Sequence, residues 1–513
     1  MARRSGATFG RRPIAILPCM FARLVRQSSV YALAGIVGKL SGVVLTAFYI
    51  DTAYLPVEAY GYFGVLRAAM MTALLVAGAG LPLGIIRFAT SSELSAPDRA
   101  SVPSTALGLA ALSGLLSAGL IWIAAPALAS LLGGGGLADA SGAAPIRWMA
   151  LFVLFKTVAD VSYTELRHRE QVGGYVAVSA AESALLLGAV LWFLVVQREG
   201  LEGVIKGYAV SSGVVACVAT VALLREVSWR PQRALVAPML RFGIPLILSG
   251  LAIRFLYFGD RFVIARMVGL DANATYELAS QFGTLVYTFL VQGVQLAFTV
   301  TGMKVFGDAA AAALYRRSFR HFAAIAGAAV LGIGLFASSV VRLFATESAY
   351  LDIDAPAVLV AGGFAFNGLY NITVSALYAA GMTRTVAFGV TAAAGLNLAL
   401  NLALIPVMGV NGAAVATLVA YAALAVFTGR RTEPLVGTGL PWGRVLAISI
   451  ATTALWWLGQ SIGPTGVSGL ALRVGLLALY PVSLALLGVY RREDLAAARA
   501  ALRARRGSHD ARR

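Results

Sequence analysis

Charge is what this 513-residue chain has least of. Asp, Glu, Lys and Arg make up 12% of it and hydrophobic residues 59%, whereas an ordinary soluble domain is about 25% charged. The mean hydropathy is +0.81. So few charges cannot wet the surfaces of several globular domains, which excludes a soluble enzyme and makes lipid the surroundings of most side chains. Cysteine is nearly missing too, with only Cys19 and Cys217, so no disulfide framework or dithiol chemistry is expected. The three histidines, His168, His321 and His509, stand apart from one another and from any carboxylate cluster, and no metal or other cofactor is expected. None of the four lysines lies in a G-x-x-x-x-G-K-[ST] motif. With links of at most about 20 residues between apolar stretches, there is no room for an ATPase or a soluble catalytic domain.

What is present is a succession of long apolar runs. Crossing the hydrocarbon layer takes about 20 residues of helix. Charged and Gly/Pro-rich breaks divide the chain into fourteen such runs, near 28–50, 60–88, 103–132, 146–165, 172–196, 204–224, 243–265, 276–303, 321–344, 356–382, 385–405, 411–428, 445–462 and 467–490. None alternates apolar with polar residues as a membrane β-barrel requires, so the fold expected is all-α and polytopic. Read as domains, the chain has a tail over 1–23, six spans over 24–228, six over 229–429, two more over 430–490, and a basic tail over 491–513. The twelve-span part carries a weak repeat: Lys39 precedes Tyr60, and Arg254 precedes Tyr276, by nearly the same interval, each ahead of a helix with a basic exit at Arg87 or Lys304.

Basic residues then give orientation. Links of even number, with both tails, hold 30 of the 41 Lys and Arg, while the opposite side holds Arg147, Arg198, Lys206 and Arg266. Because Lys and Arg stay on the cytoplasmic side, both termini are expected inside the inner membrane, and the formal charge of +18 records topology, not nucleic-acid binding. Arg11-Arg12 and the apolar run after it are interrupted by Pro18 and lack a cleavage site, so they are read as tail and not as an export signal, with Met20 an alternative start. The tail from Arg491 reads as a solvated or headgroup-bound basic arm.

Ionisable groups inside a bilayer are costly, and face a cavity, a partner or a function. Lys156 and Asp160, four residues apart, are expected to neutralise each other. Arg342 and Arg473, near span ends, are expected to snorkel. Arg254 and Arg261 are two helical turns apart on one face, with Asp260 aimed elsewhere, and form a candidate anion site. Lys39 and Arg67, without a carboxylate three or four residues away, join them as cavity candidates, against the alternative of interhelix pairing. Asp160, Glu182 and Asp260 are the deep carboxylates fit to carry a coupling proton or sodium ion, or to serve as counter-ions. In the eighth span Gln281, Thr284, Thr288, Gln292, Gln295 and Thr299 fall on one helical stripe, read as a wet wall. Asn367/Asn371 and Asn397/Asn401 are read as helix contacts.

At this point the chain resembles a known family. Fourteen spans, the opening Leu24-Val25-Arg26-Gln27-Ser28-Ser29, then Tyr60-Gly61-Tyr62-Phe63-Gly64, and Gly259-Asp260-Arg261-Phe262-Val263-Ile264 ahead of Met267-Val268-Gly269 are similar to the polysaccharide-export flippases of the multidrug/oligosaccharidyl-lipid/polysaccharide exporter superfamily. The resemblance covers about residues 24–490. It implies two six-helix lobes open alternately to each side, a polyprenyl-diphosphate-linked oligosaccharide as cargo, and cavity cations that hold the diphosphate. Arg254, Arg261 and Lys39 match those cations best, with Arg67 beside them. Membrane lipids and polysaccharide polymerase machinery are the partners implied, with proton or sodium coupling. Cation-coupled multidrug antiport and lipid II flipping, from the same superfamily, are the alternatives. A membrane polymerase or ligase is disfavoured because the longest external loop, about residues 133–145, holds no nucleophile or base constellation.

Overall fold

In the computed structural model, residues 41–133, 142–169, 171–226, 229–345, 347, 350–461 and 467–490 are described. Lys39, most of the 133–145 loop and both tails lie outside them. In lipid every backbone group must be satisfied within its own segment, and among the described residues every regular element is helical.

The elements are α1 (41–49), α2 (Val57–Ala77), α3 (Leu81–Ala89), α4 (Ala96–Ile123), α5 (Ala125–Gly133), α6 (Ala143–His168), α7 (Val172–Leu191), α8 (Gly200–Glu226), α9 (Arg233–Met267), α10 (Leu270–Val286), α11 (Gln292–Lys304), α12 (Ala311–Val341), α13 (Asp354–Ala379), α14 (Thr383–Met408), α15 (Val410–Val436), α16 (Trp442–Gln460) and α17 (Val467–Leu486). A π-helical turn, Trp192–Val196, ends α7, and another, Tyr287–Val291, joins α10 to α11. Among the described residues eleven helical stretches are long and apolar enough to cross a membrane, against the fourteen expected. Only the second half of the first expected span is described. Two further helices miss on composition: α6 holds Arg147, Lys156, Asp160, Glu165 and Arg167, and α16 holds Arg444 in its first turn and two threonines midway.

One Gly-rich stretch breaks a span, while prolines inside other helices do not. The second span divides at Gly78-Ala79-Gly80, where Ala79 (φ 45°) and Gly80 (φ 67°) both take the left-handed conformation and Pro82 opens the first turn of α3. Pro238 and Pro245 lie within α9, and Pro481 within α17.

Packing is similar in the two parts of the chain. In the first half α6 packs on α2, α4 and α8, with α7 on α8; in the second, α13 packs on α10, α12 and α15, with α14 on α15. The pair α16–α17 packs on α12. The halves meet along α2 and α3 on one side and α9 and α10 on the other. At one end of this seam a continuous apolar cluster crosses it, joining Leu45, Tyr60 and Phe63 to Ala274, Leu278 and Tyr350. At the other end Leu81, Ile85 and Leu107 pack with Leu235 and Met239. With lipid as apolar as these side chains, tight packing and polar bonds, more than exclusion of water, must hold such contacts.

Candidate functional site

Two glycine crossings set the distance between the halves. A Cβ on Gly61 of α2 would run into the Leu270 carbonyl and lie 2.7 Å from its carbon, so only glycine lets α2 approach the start of α10. Near the opposite end, a Cβ on Gly243 of α9 would strike the Ala79 carbonyl, which the break between α2 and α3 leaves directed at α9. Asn273 Nδ2 donates to the Gly61 carbonyl at 2.7 Å and ties the first crossing.

Gly243, Gly250, Arg254 and Arg261 recur at helical spacing along α9. Gly243 and Gly250 place this stripe on the seam, since Gly250 lies against Leu75 of α2. It meets Arg67 of α2 through a carboxylate that sequence reasoning overlooked. Glu277 of α10, with its side chain fully buried, pairs with Arg67 and accepts from Arg261 Nε at 2.8 Å. Arg261 Nη1 also donates to Asp260 Oδ1 at 2.9 Å and to the Tyr257 carbonyl at 3.1 Å. The other oxygen of Asp260 accepts from Tyr276 and from Thr417 at 3.5 Å. Asn397 and Asn401 extend the chain of polar contacts: Asn397 Nδ2 reaches Thr417 Oγ1 at 3.5 Å, and Asn401 Nδ2 reaches Asn397 Oδ1 at 3.1 Å.

Three expectations change here. Arg261 is no free guanidinium: its side chain is 4% exposed and two carboxylates hold it. Asp260 is not aimed elsewhere but bonds its neighbour, because the planar fork of an arginine can fold back to a carboxylate one residue earlier. Glu277 joins the deep carboxylates. Its position has a signal in the chain: Arg261 and Glu277 stand eight residues on either side of Gly269, the tight link of a helical hairpin, and Asp260 and Tyr276 keep the same separation.

The other candidates distribute as follows. Arg254 is half-buried and, among the described residues, makes no ion pair or hydrogen bond. Arg67 is 22% exposed, and its buried Nε has no hydrogen-bond partner. Gln281 Nε2 donates to Glu277 at 3.4 Å. Gln292 and Gln295 lie beyond the π-helical turn, which winds more slowly than α-helix and rotates them by about a quarter turn, so the expected single stripe is split. Lys156 does pair with Asp160 (3.3 Å), and more closely with Glu182 (2.9 Å) across α6 and α7, where the Tyr163 hydroxyl also donates to Glu182 at 2.5 Å. This cluster is separate from the seam and half-exposed. Arg473 does not snorkel: it is buried and donates to the Leu335 carbonyl at 2.8 Å and to Ser339 at 2.9 Å, fastening α17 to α12.

Comparison with known proteins follows this geometry. A profile of the family described as "Polysaccharide biosynthesis protein" matches residues 24–300. No curated protein matches. Among solved structures the chain is similar to the lipid II flippase MurJ in an inward closed conformation (TM-score 0.73, 14% identity, 90% of this chain and 98% of that one). It is similar to an inward-facing multidrug resistance MATE family transporter of the MOP superfamily (TM-score 0.65, 16% identity, 79% and 96%). It also resembles a MOP superfamily transporter from Pyrococcus furiosus, described as having a binding pocket of reverse polarity (TM-score 0.60, 17% identity, 82% and 96%). At these identities the likeness establishes the fold, that of MOP-superfamily flippases and transporters. With more than half of its length matched by the family profile, the chain belongs to the polysaccharide biosynthesis protein family.

Proposed function

We propose that this protein is a flippase that carries a polyprenyl-diphosphate-linked oligosaccharide across the inner membrane by alternating access. The observation that supports it most is Arg254, a half-buried guanidinium with no carboxylate partner among the described residues, on the same stripe of α9 as the glycines that meet α2 and the break after it. A guanidinium left without a counter-ion at that depth is costly unless an anion visits it, and its planar fork suits phosphate oxygens. Arg67, with an unused Nε, stands on the opposite wall of the seam; Lys39 is assigned the same role on the first span. The polyprenyl chain would stay in lipid while the two lobes rock about the headgroup.

In this reading the basic excess keeps both termini in the cytoplasm, which puts the Gly61 crossing and the charge network toward the outside and the Gly243 crossing toward the inside. Asp160, Glu182 and Asp260 are the carboxylates assigned to a coupling proton or sodium ion; Lys156, Asp160 and Glu182 together carry one surplus negative charge, while Asp260 is paired with Arg261. Membrane lipids and a polymerase that consumes the translocated glycan are the partners assigned. Lipid II shares the diphosphate-lipid chemistry and is the nearest competing cargo, whereas drug/cation antiport calls for an acidic, aromatic cavity and not a seam lined by arginines.

The test is Arg254→Ala in a strain that depends on this gene for surface polysaccharide. Polysaccharide is expected to fall at least tenfold while the protein stays in the membrane, and Arg254→Lys to retain part of it. Full export by Arg254→Ala would end the assignment. Rescue by the wild-type gene of a strain lacking its lipid II flippase, without rescue of polysaccharide export, would move the cargo to lipid II.

A further inference from the structure

We infer that capture of a diphosphate by Arg67 is tied to loss of the negative charge on Asp260, with Arg261 as the shared group between them; this rests on the diphosphate-lipid reading above. Arg67, Arg261, Asp260 and Glu277 form a network of two cations and two anions that is balanced when empty. Three of the four side chains are almost fully enclosed, at 4%, 3% and 0% exposure for Arg261, Asp260 and Glu277. In such surroundings a net charge is penalised heavily. An arriving anion therefore requires the network to give up one of its own.

Geometry selects which one. Glu277 is held by both arginines and by Gln281 at 3.4 Å, so it keeps its charge. Asp260 has a single cationic partner, Arg261, whose backbone N–H also donates to Oδ1 at 3.0 Å, and its other contacts are the hydroxyls of Tyr276 and Thr417. Around it, α10 presents Tyr276 and α15 presents Thr417 with Tyr421 nearby. From α14, Asn397 reaches it through Thr417, and Arg67 of α2 reaches it only through Glu277 and Arg261. Arg87 of α3 is stacked on Phe242, Asp98 and Arg99 of α4 are engaged at the start of their own helix, and α5 has no ionisable residue.

Once Asp260 is neutral, Arg261 turns wholly to Glu277 and the network carries one surplus positive charge. Arg67 is the member that leaves, because at 22% exposure it alone reaches open space and its Nε already lacks an acceptor. Arg67 belongs to α2 and Glu277 to α10, so the departure that frees a cation for the diphosphate also unlatches the two halves. By linkage, neutral Asp260 tightens anion binding and bound anion favours neutral Asp260 to the same degree.

The experiment uses the full chain in nanodiscs, with geranylgeranyl diphosphate as the probe. Spin labels at Ala53→Cys and Asp271→Cys, with Cys19→Ser and Cys217→Ser, report the distance across the seam. Asp260→Asn is expected to tighten probe binding at least tenfold and to populate longer distances without ligand. Asp260→Glu should behave as wild type, and Arg67→Ala should abolish the gain when combined with Asp260→Asn. If Asp260→Asn does not fold, wild-type affinity measured against pH replaces it: affinity should rise as pH falls, and Arg67→Ala should flatten that rise. Wild-type affinity and distances in Asp260→Asn, or no rise in wild-type affinity with acid, would overturn the coupling. Longer distances in Asp260→Asn with no probe bound by any variant would overturn the diphosphate ligand, and with it the proposed function, while the relay from Asp260 to Arg67 stood.

Discussion

Gly61→Ala is the smallest change that tests the seam. The new Cβ would lie 2.7 Å from the Leu270 carbonyl carbon and 3.1 Å from the Ala274 nitrogen, where carbon atoms settle at about 3.5–4.0 Å. The atoms in the way are backbone, which cannot rotate aside as a side-chain tip does, so α2 and α10 must part by about 1 Å. Overpacking of this kind costs about 1–3 kcal/mol, a factor of about 5–150 in the population of the closed seam. The separation also stretches the 2.7 Å bond from Asn273 to the Gly61 carbonyl, adding to the loss. Spin labels at Ala53 and Asp271, both exposed near this crossing, should show the longer-distance fraction rising by that factor. Gly42→Ala, where an added Cβ meets nothing within 4 Å, serves as the control and should change neither distance nor melting temperature. A distance distribution in Gly61→Ala identical to wild type would refute the claim that glycine at this position sets the approach of the halves.

Further outcomes are expected elsewhere. Gly243→Ala should open the seam at its other end and leave the Ala53–Asp271 distance unchanged, as measured with the same pair of labels. Arg261→Ala leaves Asp260 without its cation and Glu277 with Arg67 alone, and should destabilise the folded protein by about 3–5 kcal/mol, visible as a lower melting temperature in detergent, whereas Arg254→Ala, which breaks no bond among the described residues, should melt as wild type. Lys156→Met leaves Asp160 and Glu182 facing each other without their cation and should likewise lower the melting temperature, an effect that Lys156→Arg reverses in large part. A reporter fused after the last residue should be active only in its cytoplasmic form; an active periplasmic reporter would contradict the orientation read from the basic residues.

Helix type was legible because it arises from long apolar periods and short links, which a sequence displays directly. The positions of Lys156 and Asp160 on one helix could likewise be read, since spacing alone fixes that pair. What could not be read from one helix at a time was the partner supplied by the next. Arg261 looked free because its acid, Glu277, is 16 residues distant, and only folding the hairpin about Gly269 makes them neighbours. Arg473 looked like a snorkelling residue because its depth was judged from the span end, while its bonds go sideways to a carbonyl and a hydroxyl of α12. The stripe from Gln281 to Gln295 failed for a third reason: the turn at Tyr287–Val291 is wound differently from the helices it joins, and spacing arithmetic assumes one winding throughout.

The discontinuity at Gly78-Ala79-Gly80 has a mechanical consequence. An unbroken rod from Val57 to Ala89 would act as a stiff lever, so that prying it loose at one tip would drive the other tip inward by a fixed amount. Two left-handed residues followed by Pro82 replace that lever with a pivot. The short segment Leu81–Ala89 can then swing while the longer arm stays clamped, and each tip of the molecule gains its own freedom to unseal in turn.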